Sequence, residues 1–199
     1  MDPIALPPTR ADRYIASSAA RHTSPPVQKG ARAITWGGDE HVLCALAVGE
    51  WILSRPRNRQ RRIFADHLLA AVVTSSALPH LIKKTVDQER PDRCMVDTDR
   101  RGIQTSGKPH DAFPSGHAVH LGAVASALSW LYPDKRLLFW GGAGAIGLTR
   151  IAVLAHWASD VAAGLVLGAA TEKALRSFTM QRLNPPSPAP RERFGQLGR

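Results

Sequence analysis

The chain of 199 residues carries 26 Lys and Arg against 16 Asp and Glu, a formal net charge of +10, with 44% hydrophobic and 21% charged residues. That balance excludes a wholly disordered chain, and its 16 Gly and 15 Pro follow no collagen-like or low-complexity period. Two cysteines, Cys44 and Cys94, are too few for a disulfide scaffold and lack the CxxC spacing of a structural zinc site.

The N-terminus, MDPIALPPTRADRYIASS, has no basic start followed by an apolar run, which disfavours a cleaved signal peptide. Residues 1–32 hold Pro3, Pro7, Pro8, Pro25 and Pro26 among Ser, Thr and Arg, and read as a disordered basic arm. Residues 181–199, with NPPSPAPRERFGQLGR, read as a flexible Pro- and Arg-rich tail. Between them, residues 33–180 form the expected folded unit.

Five apolar stretches follow in that unit, at roughly 41–54, 63–82, 116–132, 136–154 and 157–175. Each is longer than an ordinary strand and lacks strict alternation, so each reads as a helix. Arg55-Pro56-Arg57-Asn58 and Tyr132-Pro133-Asp134 supply the breaks. The expected class is all-α, a compact bundle of four to five helices.

Whether these helices cross a bilayer is a separate question, because a span needs about 20 mainly apolar residues and mean hydropathy is −0.17. Asp66, His67 and Pro79 interrupt the second stretch, Arg150 the fourth and Asp160 the fifth. A soluble amphipathic bundle is one reading. Against it, Arg55, Arg57, Arg59, Arg61 and Arg62, then Lys135 and Arg136, then Lys173 and Arg176 fall on one face of an up-and-down path. Trp130, Tyr132 and Trp140 mark the same edge. A multi-pass membrane protein of the inner or plasma membrane is the favoured expectation, with the 85–114 loop on the extracytoplasmic side. The arginine cluster lacks interleaved aromatics, so nucleic acid is not an expected partner.

Three polar clusters then fall at the same ends of the helices: Lys83 to Pro91, Pro114 to His117, and Thr149 to Asp160. Ser115 and Gly116 precede an apolar helix and offer unpaired backbone N–H groups, an anion site. His156 and Asp160 are four apart and share a helix face. The path brings these clusters together, placing Lys83, Arg90 and Arg150 around two histidines and a carboxylate, the inventory for a phosphoryl dianion with a nucleophile and an acid. Asp97, Asp99 and Asp111 read as solvated loop charges, and His41, His67, His80 and His120 as core or interfacial residues. Zinc on His117, His120, His156 and Asp160 is disfavoured by the three cations beside them.

The order KxxxxxxRP at Lys83–Pro91, PSGH at Pro114–His117 and [ST]RxxxxxHxxxD at Thr149–Asp160 resembles the type 2 phosphatidic acid phosphatase superfamily, which includes bacterial acid phosphatases and vanadium haloperoxidases. Thr149 stands where Ser is usual. The resemblance covers residues 83–160, and the helical pattern extends it to about 63–175. It implies His156 as the nucleophile forming a phosphohistidine, Asp160 on its other ring nitrogen, and His117 as the acid and then the base. Lys83, Arg90, Ser115, Gly116 and Arg150 would bind the phosphoryl oxygens, with no metal and no cofactor. The expected activity is a metal-independent phosphatase acting on a lipid phosphate or diphosphate. A vanadate-dependent oxidoreductase and a soluble acid phosphatase are the alternatives, and neither the lipid nor the oligomeric state is specified by sequence.

Overall fold

The computed structural model describes residues 3–94 and 108–180. It contains eight helices among the described residues, more than the four to five expected, within the expected all-α class. The five apolar stretches appear with small changes of boundary. They are α3 (Glu40–Ser54), α4 (Arg59–Ile82), α6 (Gly116–Leu131), α7 (Arg136–Ala152) and α8 (Ala158–Thr179). Side chains at the expected breaks start them: Asp39 Oδ1 accepts from the N–H groups of His41 and Val42, and Asn58 accepts from that of Arg61.

The additional helices come mainly from the segment expected to be disordered. Residues 10–22 form α1 (Arg10–His22) and residues 25–35 form α2 (Pro25–Thr35). A capping box starts α1, with Thr9 and Asp12 bonding reciprocally, and the pair Pro25-Pro26 occupies the first turn of α2, where no N–H is needed. Two of the five prolines that suggested an unstructured arm, Pro25 and Pro26, thus start a helix. Ala16, Ala20 and Ala31 on the inner faces are buried, so small side chains supply the packing that an arm would lack. A four-residue helix α5 (Pro91–Cys94) and a short parallel pair, β1 (Ile4–Ala5) with β2 (Val86–Asp87), complete the elements. The expected tail, 181–199, lies outside the described residues.

Helix α6 is the centre of the bundle. Nine of its sixteen residues are buried, around its whole circumference, and most are Ala, Gly, Ser or Val. That is the pattern of a helix enclosed on all sides. It lies closest to α8, where Gly122 faces the Leu165 backbone and Gly168 faces the Val119 carbonyl. A Cβ at either position would overlap those backbone atoms, so glycine is what permits the approach.

Farther from the α6 N-terminus, His67 and Glu172 meet in the interior at 2.9 Å. Ser126 and Thr179 bond to Glu172 and His67 respectively, which makes His67 the satisfied core histidine expected. On the outside, Leu46, Ile52, Leu53, Val73, Leu137, Leu138, Leu148, Val166 and Phe178 are exposed on α3, α4, α7 and α8. No helix among the described residues is long and apolar enough to cross a membrane.

The glycine contacts yield a stability test. Gly168→Ala should destabilise the fold by about 1–3 kcal/mol through overpacking, lowering the thermal midpoint by roughly 3 °C per kcal/mol at this chain length. Gly144 on α7 has nothing within 4 Å of an added Cβ. Gly144→Ala should therefore be neutral or stabilising by up to about 1 kcal/mol. Thermal melts of both variants check the contrast.

Candidate active site

Six segments meet at the end of the bundle where α6 begins, around a cavity of about 200 Å³. Asp39, Glu40 and His41 come from the start of α3; Ser76, Pro79, His80 and Lys83 from the end of α4; and Gly116, His117 and His120 from the start of α6. Arg90 enters from the loop, Arg150 from the last turn of α7 and His156 from the turn before α8. The fold therefore assembles the residues that the three polar clusters nominated. Ser115, the N-cap of α6, and Asp160, in the first turn of α8, are fully buried beside the cavity.

Arg90 is the most heavily bonded of the cations. Its Nε donates to the Asp111 carboxylate at 2.9 Å and the Lys108 carbonyl at 3.1 Å, and Nη1 donates to the Ala155 carbonyl at 3.0 Å. Nη1 also lies 3.5 Å from His156 Nε2. Asp111 pairs with Arg90 Nη2 at 2.8 Å and with Lys83 Nζ at 3.6 Å. The expectation of a solvated charge at Asp111 is thus corrected: the buried Arg90 and the half-buried Lys83 recruit the carboxylate as their counter-charge. Asp97 and Asp99 lie outside the described residues.

The nucleophile candidate sits in a turn held by its backbone. Leu154 has φ 55°, the left-handed region, and its carbonyl accepts from Asp92 N–H at 3.0 Å. Nδ1 of His156 donates to the Ala112 carbonyl at 2.7 Å, which leaves Nε2 as the unprotonated nitrogen of the neutral ring. Asp160 Oδ2 is 3.9 Å from Nδ1, beyond a hydrogen bond. It accepts instead from the Trp157 N–H at 2.8 Å, so the expected His156–Asp160 bond is replaced by a carbonyl partner. The four-residue spacing does bring the two side chains near each other, but they share no helix face. What intervenes is that His156 precedes the helix, where the carboxylate is engaged in closing the first turn.

Burial, with Arg90, Arg150 and Lys83 nearby, holds the His156 imidazole well below its ordinary pKa, and the Ala112 bond opposes this. His117 is lowered to about 4 by burial and then by Arg150, while Asp39 pulls the other way. Burial lowers Lys83 despite the attraction of Asp111. Burial also raises Asp160 to about 7, outweighing its bond from Trp157.

Ser115 Oγ, Arg150 Nε and Asp160 Oδ1 are buried with no hydrogen-bond partner. Two of these three orphaned atoms are donors. They surround cations, which suits an anion that brings its own acceptors. Among the described residues no group of three or more His, Cys, Asp and Glu is placed to hold a metal. Both ring nitrogens of His120 are engaged, with Ser76 Oγ at 2.9 Å and the Gly116 carbonyl at 2.8 Å. Asp39, Asp111, His120 and Thr35, whose hydroxyl accepts from Arg150 at 3.2 Å, are site residues that sequence patterns did not single out.

A family model described as the PAP2 superfamily matches residues 65–183. A lipid A 1-phosphatase of Rhizobium johnstonii is 33% identical over 126 residues, covering 61% of this chain and 52% of that protein. One from Rhizobium etli is 33% identical over 125 residues, covering 60% and 54%. The chain spans about half the length of these curated relatives. Among solved structures, Aquifex aeolicus LpxE superposes with a TM-score of 0.67 at 18% identity, over 83% of this chain and 94% of that one. A transmembrane PAP2 type phosphatidylglycerolphosphate phosphatase from Bacillus subtilis superposes with a TM-score of 0.64 at 22% identity, over 86% and 85%.

Arg90 tests the cradle. Lysine keeps the charge but cannot serve Asp111, Lys108 and Ala155 while facing His156. Arg90→Lys should weaken inorganic phosphate or vanadate binding by about tenfold or more. Titration calorimetry measures it, and wild-type affinity would assign Arg90 to packing alone.

Proposed function

Because the chain belongs to the PAP2 superfamily, we propose that it is a phosphatase removing the terminal phosphoryl group of a membrane lipid through a phosphohistidine. The observation that carries the reading is the pairing of a tautomer with a cation. The Ala112 carbonyl accepts a hydrogen bond from Nδ1–H, and Arg90 stands 3.5 Å from the free Nε2, where a phosphoryl group awaiting attack would be neutralised.

The Nε2 lone pair attacks phosphorus, and the P–O bond to the lipid alcohol breaks. His117 gives its proton to the departing oxygen. Arg90, Arg150, Lys83, Ser115 Oγ and the Gly116 N–H bind the equatorial oxygens, supplying the charge stabilisation on which phosphoryl transfer depends. Water then gives a proton to His117 and attacks the phosphohistidine, the P–N bond breaks, and inorganic phosphate leaves. Asp160 lies close enough to favour the cationic ring that exists between these steps.

Two further features support a lipid substrate at a membrane. The cavity admits a phosphate and the first atoms of its alcohol, leaving the rest of the substrate outside. The exposed apolar faces of α3, α4, α7 and α8 exceed what scattered surface residues explain. At the end of the bundle away from the cavity, Arg55 lies 4.5 Å from the Trp51 ring, Arg176 5.6 Å from Trp130 and Lys135 5.9 Å from Tyr132. Such aromatic and basic pairs suit a headgroup layer. The cavity then opens on the opposite, extracytoplasmic side. The relatives named lipid A 1-phosphatase make a sugar-linked lipid phosphomonoester the first substrate to assay.

His156→Ala should abolish turnover and a trappable phosphoenzyme without unfolding the chain, whereas chelation should leave wild-type activity in place. Near-wild-type hydrolysis by the variant sinks the mechanism. A headgroup panel in detergent micelles separates lipid substrates from small phosphate esters, and preference for the latter favours an acid phosphatase.

The pH profile gives an independent check. His117 must be protonated in the substrate complex, so kcat falls as pH rises through its pKa there. A bound phosphate dianion raises that pKa above the value of about 4 in the free site, and Asp39 contributes in the same direction. Asp39→Asn keeps the cap of α3 but removes the charge. It should shift the alkaline limb of kcat to lower pH; an unmoved limb would dissociate that limb from His117.

A further inference from the structure

The segment that precedes the family match reaches the site from several directions. The Ile4 N–H donates to the Thr85 carbonyl and the Leu6 N–H to that of Asp87, each at 2.8 Å, beside the loop that carries Arg90. Ala16 and Ala20 of α1 pack in one cluster with Ala112, Leu154 and Trp157. Ala112 is the residue whose carbonyl fixes the His156 tautomer, and Leu154 is the left-handed residue two before the nucleophile.

The polar contacts are more specific. Trp157 caps α8 without a side chain able to accept a bond, which leaves first-turn donors unserved. Asp12, 2% exposed, supplies the missing acceptor from α1. Its Oδ1 accepts from the Ser159 N–H and its Oδ2 from the Ser159 hydroxyl, both at 2.9 Å. Its place is fixed from its own side by the Thr9 N–H at 3.0 Å and the Thr9 hydroxyl at 2.7 Å. The carboxylate also complements the positive end of α8. At the other end of the turn, Thr35 at the close of α2 accepts from Arg150. The stretch from Arg150 to Ser159, with His156 inside it, is therefore pinned at both ends by the N-terminal segment.

We infer that α1 and α2 form a clamp on the nucleophile turn, in which Asp12 and Thr35 are positioning residues for phosphoryl transfer. The inference rests on the phosphatase reading. Asp12 touches neither the phosphate nor His156; it sets where α8 begins and hence where the turn before it ends. Displacement of an attacking nitrogen by a fraction of an ångström to 1 Å lowers the rate of transfer far more than the affinity for the phosphate. Thr35 acts through Arg150, so its loss should appear mainly in binding.

The test uses the full chain in micelles with a lipid phosphomonoester, measuring kcat, KM and the thermal midpoint for Asp12→Ala, Asp12→Asn and Thr35→Val. Asp12→Ala should lower kcat about tenfold or more, with KM within about twofold, at a temperature where it is folded. Asp12→Asn retains an acceptor for the Ser159 N–H and should recover part of the loss. Thr35→Val should raise KM more than it lowers kcat. A lowered melting point with kcat within twofold of wild type overturns the inference, because that is the signature of a merely structural contact. If Asp12→Ala does not fold, wild-type kcat in Asp12→Asn overturns it equally. Hydrogen exchange of amides 153–160 provides a readout without turnover. Exchange confined to those amides should rise in Asp12→Asn, and unchanged exchange rejects the clamp even if the wild-type chain hydrolyses nothing. A wild-type chain inactive on every phosphomonoester would sink the phosphatase reading, leaving exchange to decide the clamp.

Discussion

The burial of Arg90 is the constraint on which the site depends. With 3% of Arg90 exposed, its guanidinium donors must be met, and the partners come from two separate segments: Lys108 and Asp111 before α6, and Ala155 before α8. Meeting them draws the loop after α4 against the approach to α6 and against the turn between α7 and α8. Those segments deliver Lys83, Ser115 and His156. One charge taken out of water thereby organises the cations, amides and imidazoles that act on another charge. Asp111 is part of the same balance, since it offsets two cations while leaving Arg150 and the face of Arg90 toward His156 turned to the cavity.

Much of the framework was legible in the sequence because its signals are local and redundant. Apolar runs of helical length, with Asn58 ahead of one and Ser115 ahead of another, located α3, α4 and α6 to within a few residues. The site was legible for another reason: three motifs whose spacings are fixed by chemistry lie at ends of helices that must meet. The N-terminal segment was misread because its helices bury alanine rather than leucine, and its prolines serve equally as helix starts and as signs of disorder. Asp111 carries no local signal; its role arises from Lys83 and Arg90 across space. Similarly, an i to i+4 spacing places Asp160 beside His156 but does not reveal that the Ala112 carbonyl comes nearer.

The apolar exterior and the polar interior are unusual together. Leucines and valines face outward on α3, α4, α7 and α8, while His67, Glu172, Ser126 and Thr179 are linked inside. Each of these four side chains has a partner among the others, so the network rigidifies the lower bundle without leaving the Glu172 carboxylate unpaired. Small residues around α6 leave the room for it. The same economy of side-chain volume explains why hydropathy alone gives no helix that qualifies as a span: Ala, Gly and Ser close the bundle where longer apolar side chains would hold it apart.

The glycine contact between α6 and α8 has an evolutionary corollary. His117 rides on one helix and Asp160 on the other, and at Gly122 and Gly168 the two helices meet backbone against backbone, with no side chain between them. Drift in sequence elsewhere can therefore reshape the cavity wall without altering the gauge of the chemistry. Glu40 and His41 at the head of α3, with His80 at the end of α4, form part of that wall. Substitution there can reshape what the cavity admits while the spacing between the two helices is inherited intact, so a lineage built on this contact can change what enters the site long before it changes how the site is held together.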